Sequence, residues 1–485
     1  MLDVHQTGYT TDLEYECRIC AEMDPHYLAY VCAIRGVDSV LARLADGIDY
    51  CDLGCGSGDS VLAMAAAHPS SRFTGIDFNP AHIARAQAIA RRAGLTNARF
   101  VECSFGDFAS RSDTTFDVIA LHGVYSWVGA EQRNEIVASL SAKLRSGGIV
   151  YVSYNVLPGW LSMLPLRQIM IELARQTELP SSQKVAHVRK FIREFAEIER
   201  ACGYSSRHLD DLCMSLEKTS ANYIAHEYLN RDWYPAFSNE VARDLHRAKL
   251  SFVGEATVAR NYPETFVPTP MIEFIERQST PELQQLLIDI SSGATFRRDV
   301  FVRGMRRSPV RHLFESAPFS FLALDRNLDI GESLGNATSF VSFAGLLIEH
   351  AFSNVVNFVD VLSLAAQNGV ATEDCSRVVQ ALVARGMLQI GHGAAFGASE
   401  ATSTEGKSMS ALNCLRLQEA AMKGSDALLC SNVVVKPVQL SAANAQALAN
   451  RFPVSDSPSA AARNTDSVDL KREFVRKLSR LRIIE

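Results

Sequence analysis

Cys51-Asp52-Leu53-Gly54-Cys55-Gly56-Ser57-Gly58 sets an acidic residue and three glycines at alternate positions directly behind a short apolar strand. The stretch reads as a nucleotide-cofactor loop. Glycine at 54, 56 and 58 lets the backbone turn tightly and approach a ligand where any Cβ would collide, and the helix that follows offers unpaired amide N–H groups. Further on, Arg72-Phe73-Thr74-Gly75-Ile76 reads as a second strand ending in Asp77. That is the position at which an α/β nucleotide fold presents a carboxylate to ribose hydroxyls.

Spacing separates two cofactor classes that share this architecture. A dinucleotide site needs G-x-G-x-x-G, with a pyrophosphate on the helix N-terminus. Here the pattern is G-x-G-x-G behind Asp52, whose charge repels a pyrophosphate and suits a cationic amino group. An amino-acid-bearing nucleoside fits, namely S-adenosylmethionine, and the stretch resembles motif I of the class I methyltransferases. Glycine-rich turns follow many strands, so the matches further along the chain carry the weight. Phe100-Val101-Glu102 reads as a third strand, followed by Gly106-Asp107-Phe108, where such methyltransferases place an acidic side chain near the adenine amino group. Phe116 to Leu121 reads as a fourth strand, and Gly147 to Ser153 as a fifth after a Gly-Gly turn. Helical patterns fall between them, near 58–67, 80–93 and 130–145. Strand and helix alternating in this way predict an α/β fold with a doubly wound, Rossmann-like parallel sheet, its ligand at the carboxyl ends of the strands.

The 485 residues exceed one typical domain, and 47% hydrophobic content supplies material for several cores. A formal charge of -6 argues against a nucleic-acid or anionic-membrane binder. The opening Met1-Leu2-Asp3-Val4-His5 lacks the features of a signal peptide, and no apolar run is long enough to span a bilayer, so a cytoplasmic enzyme without membrane insertion is expected. Eleven cysteines, an odd number, point to reduced thiols. Cys17 and Cys20, with His26 and Cys32 nearby, lack the second ligand pair of a structural zinc site, so no metal is expected. Cys55 lies within the glycine loop as a small side chain rather than a nucleophile.

Leu121-His122-Gly123-Val124-Tyr125-Ser126-Trp127 follows the fourth strand, and Tyr154-Asn155-Val156-Leu157-Pro158-Gly159-Trp160 follows the fifth. Polar groups there can orient a methyl acceptor while rings exclude water and face a sulfonium; Trp127, Tyr151 and Trp160 have packing as an equal alternative. Together with Asp77-Phe78-Asn79-Pro80-Ala81-His82-Ile83, these segments resemble the bacterial methyltransferases that carry a methyltransferase regulatory domain. Asn222 to Asn230 and Phe296 to Gly304 are similar to the regulatory portion, and the resemblance covers residues 9–310. It implies S-adenosyl-L-methionine as cofactor and, since the family contains lysine methyltransferases acting on bacterial surface proteins, a protein acceptor. A small-molecule acceptor and a non-catalytic S-adenosylmethionine sensor are the alternatives. A homodimer is left open.

The expected organisation is a cofactor-binding catalytic domain over 1–160, a helical insertion over 161–235, completion of the sheet with a regulatory insertion over 236–308, and a mainly helical, winged-helix-like domain over 309–485. The insertion rests on helical periodicity in Leu166, Ile169, Met170 and Leu173, then Val188, Phe191, Ile192 and Phe195. Phe358 to Ile390 supplies the winged-helix resemblance. Ala401 to Ser408 nearly spells a phosphate loop, but alanine stands for its first glycine and no buried strand precedes it. His226-Glu227 allows a proton acceptor or a structural role. Arg297, Arg298, Arg303, Arg306, Arg307 and Arg311 read as a solvated or internally paired surface before a partner site. Expected roles are Asp52 on the methionine end of the cofactor beside Gly54, Cys55, Gly56 and Gly58; Asp77 and Phe78 at the ribose; and Asp107 with Phe108 at adenine. Tyr125, Tyr154, Asn155 and His122 are expected to position the acceptor, and His122 and Tyr9 to touch the cofactor.

Overall fold

The computed structural model describes residues 19–391, apart from 112–113, 205–206, 231, 324 and 326–337, together with two paired strands at Ala427–Leu429 and Val438–Leu440. Tyr9, Cys17 and the 401–408 stretch lie outside the described residues. Seven strands form the central sheet: β1 (Asp49–Leu53), β2 (Arg72–Asp77), β3 (Ala98–Glu102), β4 (Phe116–Leu121), β5 (Leu144–Asn155), β6 (Leu250–Glu255) and β7 (Phe296–Arg303). Their order is β3-β2-β1-β4-β5-β7-β6. The first five are parallel, and β7 enters antiparallel between β5 and β6. The order reverses between β1 and β4, which opens a crevice beyond their carboxyl ends.

Both faces are covered, so the inner strands are apolar throughout; all six residues of β4 are buried. On one face lie α1 (Pro25–Ile34), α2 (Asp59–Ala67) and α3 (Pro80–Arg92), packed through Leu28, Val31, Val61, Leu62, Ile83 and Ala86. The caps are written locally: Asn79 accepts from the Ala81 N–H, and Pro80 follows at the first helical position. After the short α4 (Phe105–Ser110), α5 (Ala130–Lys143) covers the other face with Ile136, Val137 and Leu140. One expectation shifts here. Gly147-Gly148 is not a turn before the fifth strand but lies inside β5, where the pairing with β4 jumps from Phe116↔Leu144 to Val118↔Ile149 and extrudes the intervening residues.

Four helices follow β5: α6 (Leu164–Arg175), α7 (Ser181–Ala201), α8 (Arg207–Lys218) and α9 (Ala221–Tyr228). They share a core of their own, built from Met170, Val185, Val188, Ile192, Leu212 and Ile224. Helix α10 (Ser238–His246) then returns to the sheet, and α11 (Thr269–Glu276) and α12 (Pro281–Ser292) separate β6 from β7. A buried ionic cluster fastens this region. Arg297 is 1% exposed and donates to Asp289 at 2.7 Å and Asp299 at 2.9 Å, with Glu255 at 3.6 Å. The C-terminal unit begins with α13 (Val310–Ser316) and runs β8 (Ser320–Leu322), α14 (Thr338–Ser353), β9 (Val356–Asn357), α15 (Phe358–Gln367), α16 (Thr372–Ala384) and β10 (Gln389–Gly391). Four helices with an antiparallel sheet ordered β9-β8-β10 give a winged-helix-like arrangement. Its aromatic residues Phe314, Phe319 and Phe321 ring Tyr30 of α1, so it shares a core with the catalytic layer.

Candidate cofactor and acceptor site

The glycine loop closes over the end of β2. Gly54 and Cys55 donate their N–H groups to the Ile76 carbonyl at 2.7 and 2.9 Å, and Gly56 donates to Asp77 Oδ2 at 2.9 Å. Gly54 has φ 81°, and a Cβ there would stand 2.5 Å from Val124 Cγ2, so a side chain is barred by both conformation and space. Gly56 also has positive φ, 53°, yet a Cβ built on it would meet nothing within 4 Å. It faces open space, which is the cradle a ligand needs.

Asp52, the last residue but one of β1, is 4% exposed, and its Oδ1 has no hydrogen-bond partner. Burial, and next the charge of Asp77, push its carboxyl up to about 8. An orphaned, buried carboxylate oxygen is the complement of a cationic amino group, so the residues present fit the methionine end of S-adenosylmethionine. Asp77, 8% exposed, also accepts from the Asn79 N–H at 2.8 Å, and His82 Nδ1 lies 3.5 Å away. Each of its oxygens keeps a second lone pair for hydroxyls. Phe78, 43% exposed at the same strand end, provides an open aromatic face.

Of the pair expected at adenine, Asp107 stands open to solvent and Phe108 turns inward. Asp107 is exposed and its carboxylate accepts from the Ser104 hydroxyl at 2.8 Å, closing the first turn of α4. Phe108 is buried against Phe116, with ring centroids 6.1 Å apart, at the amino end of β4 and away from the crevice. The helical turn rotates the apolar residue inward to the sheet and leaves the acid in solvent.

Tyr125 and Tyr154 are corrected likewise. Both are essentially unexposed, and their hydroxyls donate to Asp244 at 2.6 Å and to Asp299 at 2.5 Å. Tyr125 anchors α10 to the segment after β4, and Tyr154, inside β5, ties that strand to β7, rather than facing an acceptor. Asn155 remains a candidate: it is buried, its backbone N–H donates to Ser126 Oγ, and its Nδ2 lacks a hydrogen-bond partner. His122 follows β4 directly. Its Nδ1 lies 2.9 Å from the Tyr151 hydroxyl and 3.2 Å from Ser153 Oγ, which fixes the ring.

Sequence reading missed the segment that completes this side. Cys20 donates its N–H to Ser60 Oγ in the first turn of α2, and its Sγ lies 3.6 Å from both His122 Nδ1 and the Tyr151 hydroxyl. Burial, then Glu22, pushes the Cys20 thiol up to about 12, so it packs rather than reacts. Glu22 faces Arg298 at 3.8 Å, and the Arg298 guanidinium sits 5.0 Å from the Phe296 ring centroid. Asp24 then caps α1 and meets His68 Nε2 at 2.6 Å, with the His26 and His68 rings stacked at 4.9 Å. Cys20, His26 and Cys32, grouped in sequence, thus stand in three different surroundings.

All three tryptophans gather at the loops after β4 and β5: Trp233 lies 6.3 Å from Trp127 and 5.3 Å from Trp160, with the Arg167 guanidinium 4.4 Å over its ring. His226 is buried in α9 beside the insertion core. The arginine run disperses rather than forming a patch. Arg297 is internal, Arg306 meets Asp38, Arg307 donates to the Arg35 carbonyl and Arg311 to Glu315.

Comparison with known proteins agrees with this geometry. Residues 44–228 match the family described as "Methyltransferase domain", and residues 220–303 match "Predicted methyltransferase regulatory domain". An uncharacterised protein of Synechocystis is 31% identical over 307 residues, 63% of this chain and 60% of that one. Trans-aconitate 2-methyltransferase of Escherichia coli is 31% identical over 148 residues, 30% of this chain and 54% of the enzyme. The chain therefore spans three fifths or less of both. The structure of PKMT2 from Rickettsia typhi in complex with AdoHcy superposes with a TM-score of 0.71 at 17% identity, covering 97% of this chain and 99% of that one. Among the described residues no helix is long and apolar enough to cross a membrane.

Proposed function

Because the chain belongs to the class I methyltransferases that carry a methyltransferase regulatory domain, we propose that it transfers a methyl group from S-adenosylmethionine to a protein lysine amine. The observation that carries the reading is the orphaned Oδ1 of buried Asp52 beside the open face of Gly56. S-adenosylmethionine supplies a methyl carbon already activated by its sulfonium, so direct displacement asks only for alignment of the acceptor. Asp52 would hold the cofactor's amino group and Asp77 its ribose hydroxyls, with the exposed Phe78 ring beside them.

A lysine amine has a reference pKa near 10.4 and attacks only after losing its proton to solvent. Desolvation in the crevice, with a sulfonium nearby, lowers that value. His122, fixed by Tyr151 and Ser153, and Asn155, whose buried Nδ2 has no hydrogen-bond partner, stand on the acceptor side. Glu22, 3.8 Å from Arg298, adds an acid to that side that a cationic guest can share. PKMT2 from Rickettsia typhi, whose structure holds AdoHcy, shares this fold over nearly the whole chain, which supports the cofactor reading.

A second reading, a small carboxylate acceptor, has Arg298 and the likeness to trans-aconitate 2-methyltransferase in its favour. Incubating the full chain with methyl-labelled cofactor and bacterial extract, then analysing proteins and metabolites by mass spectrometry, separates the two. Methyl-lysine in protein is the expected result. Label confined to small carboxylates supports the second reading, and no transfer to either overturns both.

A further inference from the structure

At the end of the sheet remote from the crevice, β5, β6 and β7 enclose an open cavity of about 540 Å3 lined by Ser146, His246, Lys249, Ser251, Arg303 and Met305. Ser146 and Ser251 stand near the starts of β5 and β6, and Arg303 ends the antiparallel β7, so all three lie at the amino end of the parallel strands. His246 closes α10, and Lys249 follows in the turn to β6.

Three features set this surface apart. Its lining holds an ammonium, a guanidinium and an imidazole, but no carboxylate. Whereas Arg297, Arg298, Arg306 and Arg311 each meet an acid, Arg303 donates to the carbonyls of Leu144 at 2.5 Å and Ser141 at 2.8 Å. Those bonds fix the guanidinium at the wall without neutralising it, and among the described residues neither Arg303 nor Lys249 forms an ion pair. Lys249 is also the one non-glycine residue with positive φ, 60°, among the described residues. A lysine in the left-handed region costs backbone energy that glycine would avoid, and such strain persists where the side chain is needed in place.

We propose that this cavity binds a small oxyanion, with the phosphoryl group as the favoured class. Lys249 supplies a point charge, Arg303 a fixed guanidinium edge, and Ser146 and Ser251 hydroxyl donors for a tetrahedral group with several acceptor oxygens. The cavity exceeds the size of inorganic phosphate, leaving room for the body of a phosphorylated metabolite. Four of the lining residues, His246, Lys249, Ser251 and Arg303, fall within the regulatory-domain match. In the last turn of α10, His246 lines the cavity while Asp244, half a turn earlier, accepts from Tyr125 after β4.

The test is calorimetric titration of the full chain with inorganic phosphate, pyrophosphate and citrate at low salt, repeated for Lys249→Gly and Arg303→Met. Phosphate or pyrophosphate should bind saturably at one site, weaken at least about tenfold in either variant, and weaken again as salt rises. Lys249→Gly should keep or raise the melting temperature, since it relieves the left-handed backbone while removing the charge. Citrate binding more tightly than both phosphates would replace the phosphoryl assignment by a carboxylate one. No saturable binding to the wild-type chain, or equal binding by Lys249→Gly, overturns the proposal; methyl transfer and cofactor affinity are unaffected by either outcome.

Discussion

The two sides of the crevice are built on different principles. The cofactor side is local: Asp52, the glycine loop and Asp77 span one strand-turn-helix-strand unit, and backbone N–H groups of that unit hold Asp77 in place. The acceptor side is assembled from far apart: Glu22, His122, Tyr151 and Arg298 come from four segments and meet only because the sheet places them together. A local unit tolerates damage elsewhere in the fold, whereas an assembled one inherits every weakness of its scaffold.

The largest effect should come from the scaffold. Replacing Arg297 with Met leaves Asp289, Asp299 and Glu255 buried without their central cation, which should destabilise the chain by about 3–5 kcal/mol in chemical denaturation. Hydrogen exchange should rise first in β6, β7 and α12. Equal loss of protection at the glycine loop would break the contrast between the two sides. Asp77→Ala comes next: cofactor affinity by calorimetry should fall about 100-fold, or about 2.7 kcal/mol. Unchanged affinity contradicts the ribose contact. Glu22→Gln should raise the acceptor KM about three- to tenfold with cofactor affinity unmoved, and Glu22→Asp should recover part of it. A change in cofactor affinity instead would place Glu22 on the other side. Phe108→Leu should be the smallest, costing about 1 kcal/mol of stability and less than a twofold change in cofactor affinity. A large loss of affinity would restore Phe108 to the adenine site.

The same contrast explains how much could be read from sequence. Alternating glycines behind a strand, an acid before them and a second acid ending the next strand are contiguous signals, so the sheet and the Asp52–Asp77 pair were legible. Tyr125 follows β4 and Tyr154 lies at the end of β5, yet period-two alternation along a strand end cannot say whether a hydroxyl meets solvent or a buried Asp. Asp107 and Phe108 diverge for a similar reason: α4 begins three residues after the end of β3, and a helical turn, not a loop, sends the acid to solvent and the ring inward. Cys20 and Glu22 left no signal at all. Their position follows from the N-terminal segment running along α2, fastened by Ser60 at one end and His68 at the other.

Asp52 carries the account, and its protonation gives the sharpest test. Burial, and next the charge of Asp77, push its carboxyl up to about 8 from the ordinary 3.8. The sign follows: the folded protein holds this proton more tightly than the unfolded chain, so the stability linked to it is full below the unfolded value and is lost as pH rises through about 8. Asp52→Asn should therefore stabilise the cofactor-free protein above neutral pH. Binding an ammonium beside Asp52 favours the ionised form, so cofactor binding near pH 7 should expel about one proton. Calorimetric titration of S-adenosylmethionine in buffers of different ionisation enthalpy measures that number directly. The account predicts release of about one proton, lost together with most of the affinity in Asp52→Asn; binding without proton release, and undiminished in that variant, would contradict it.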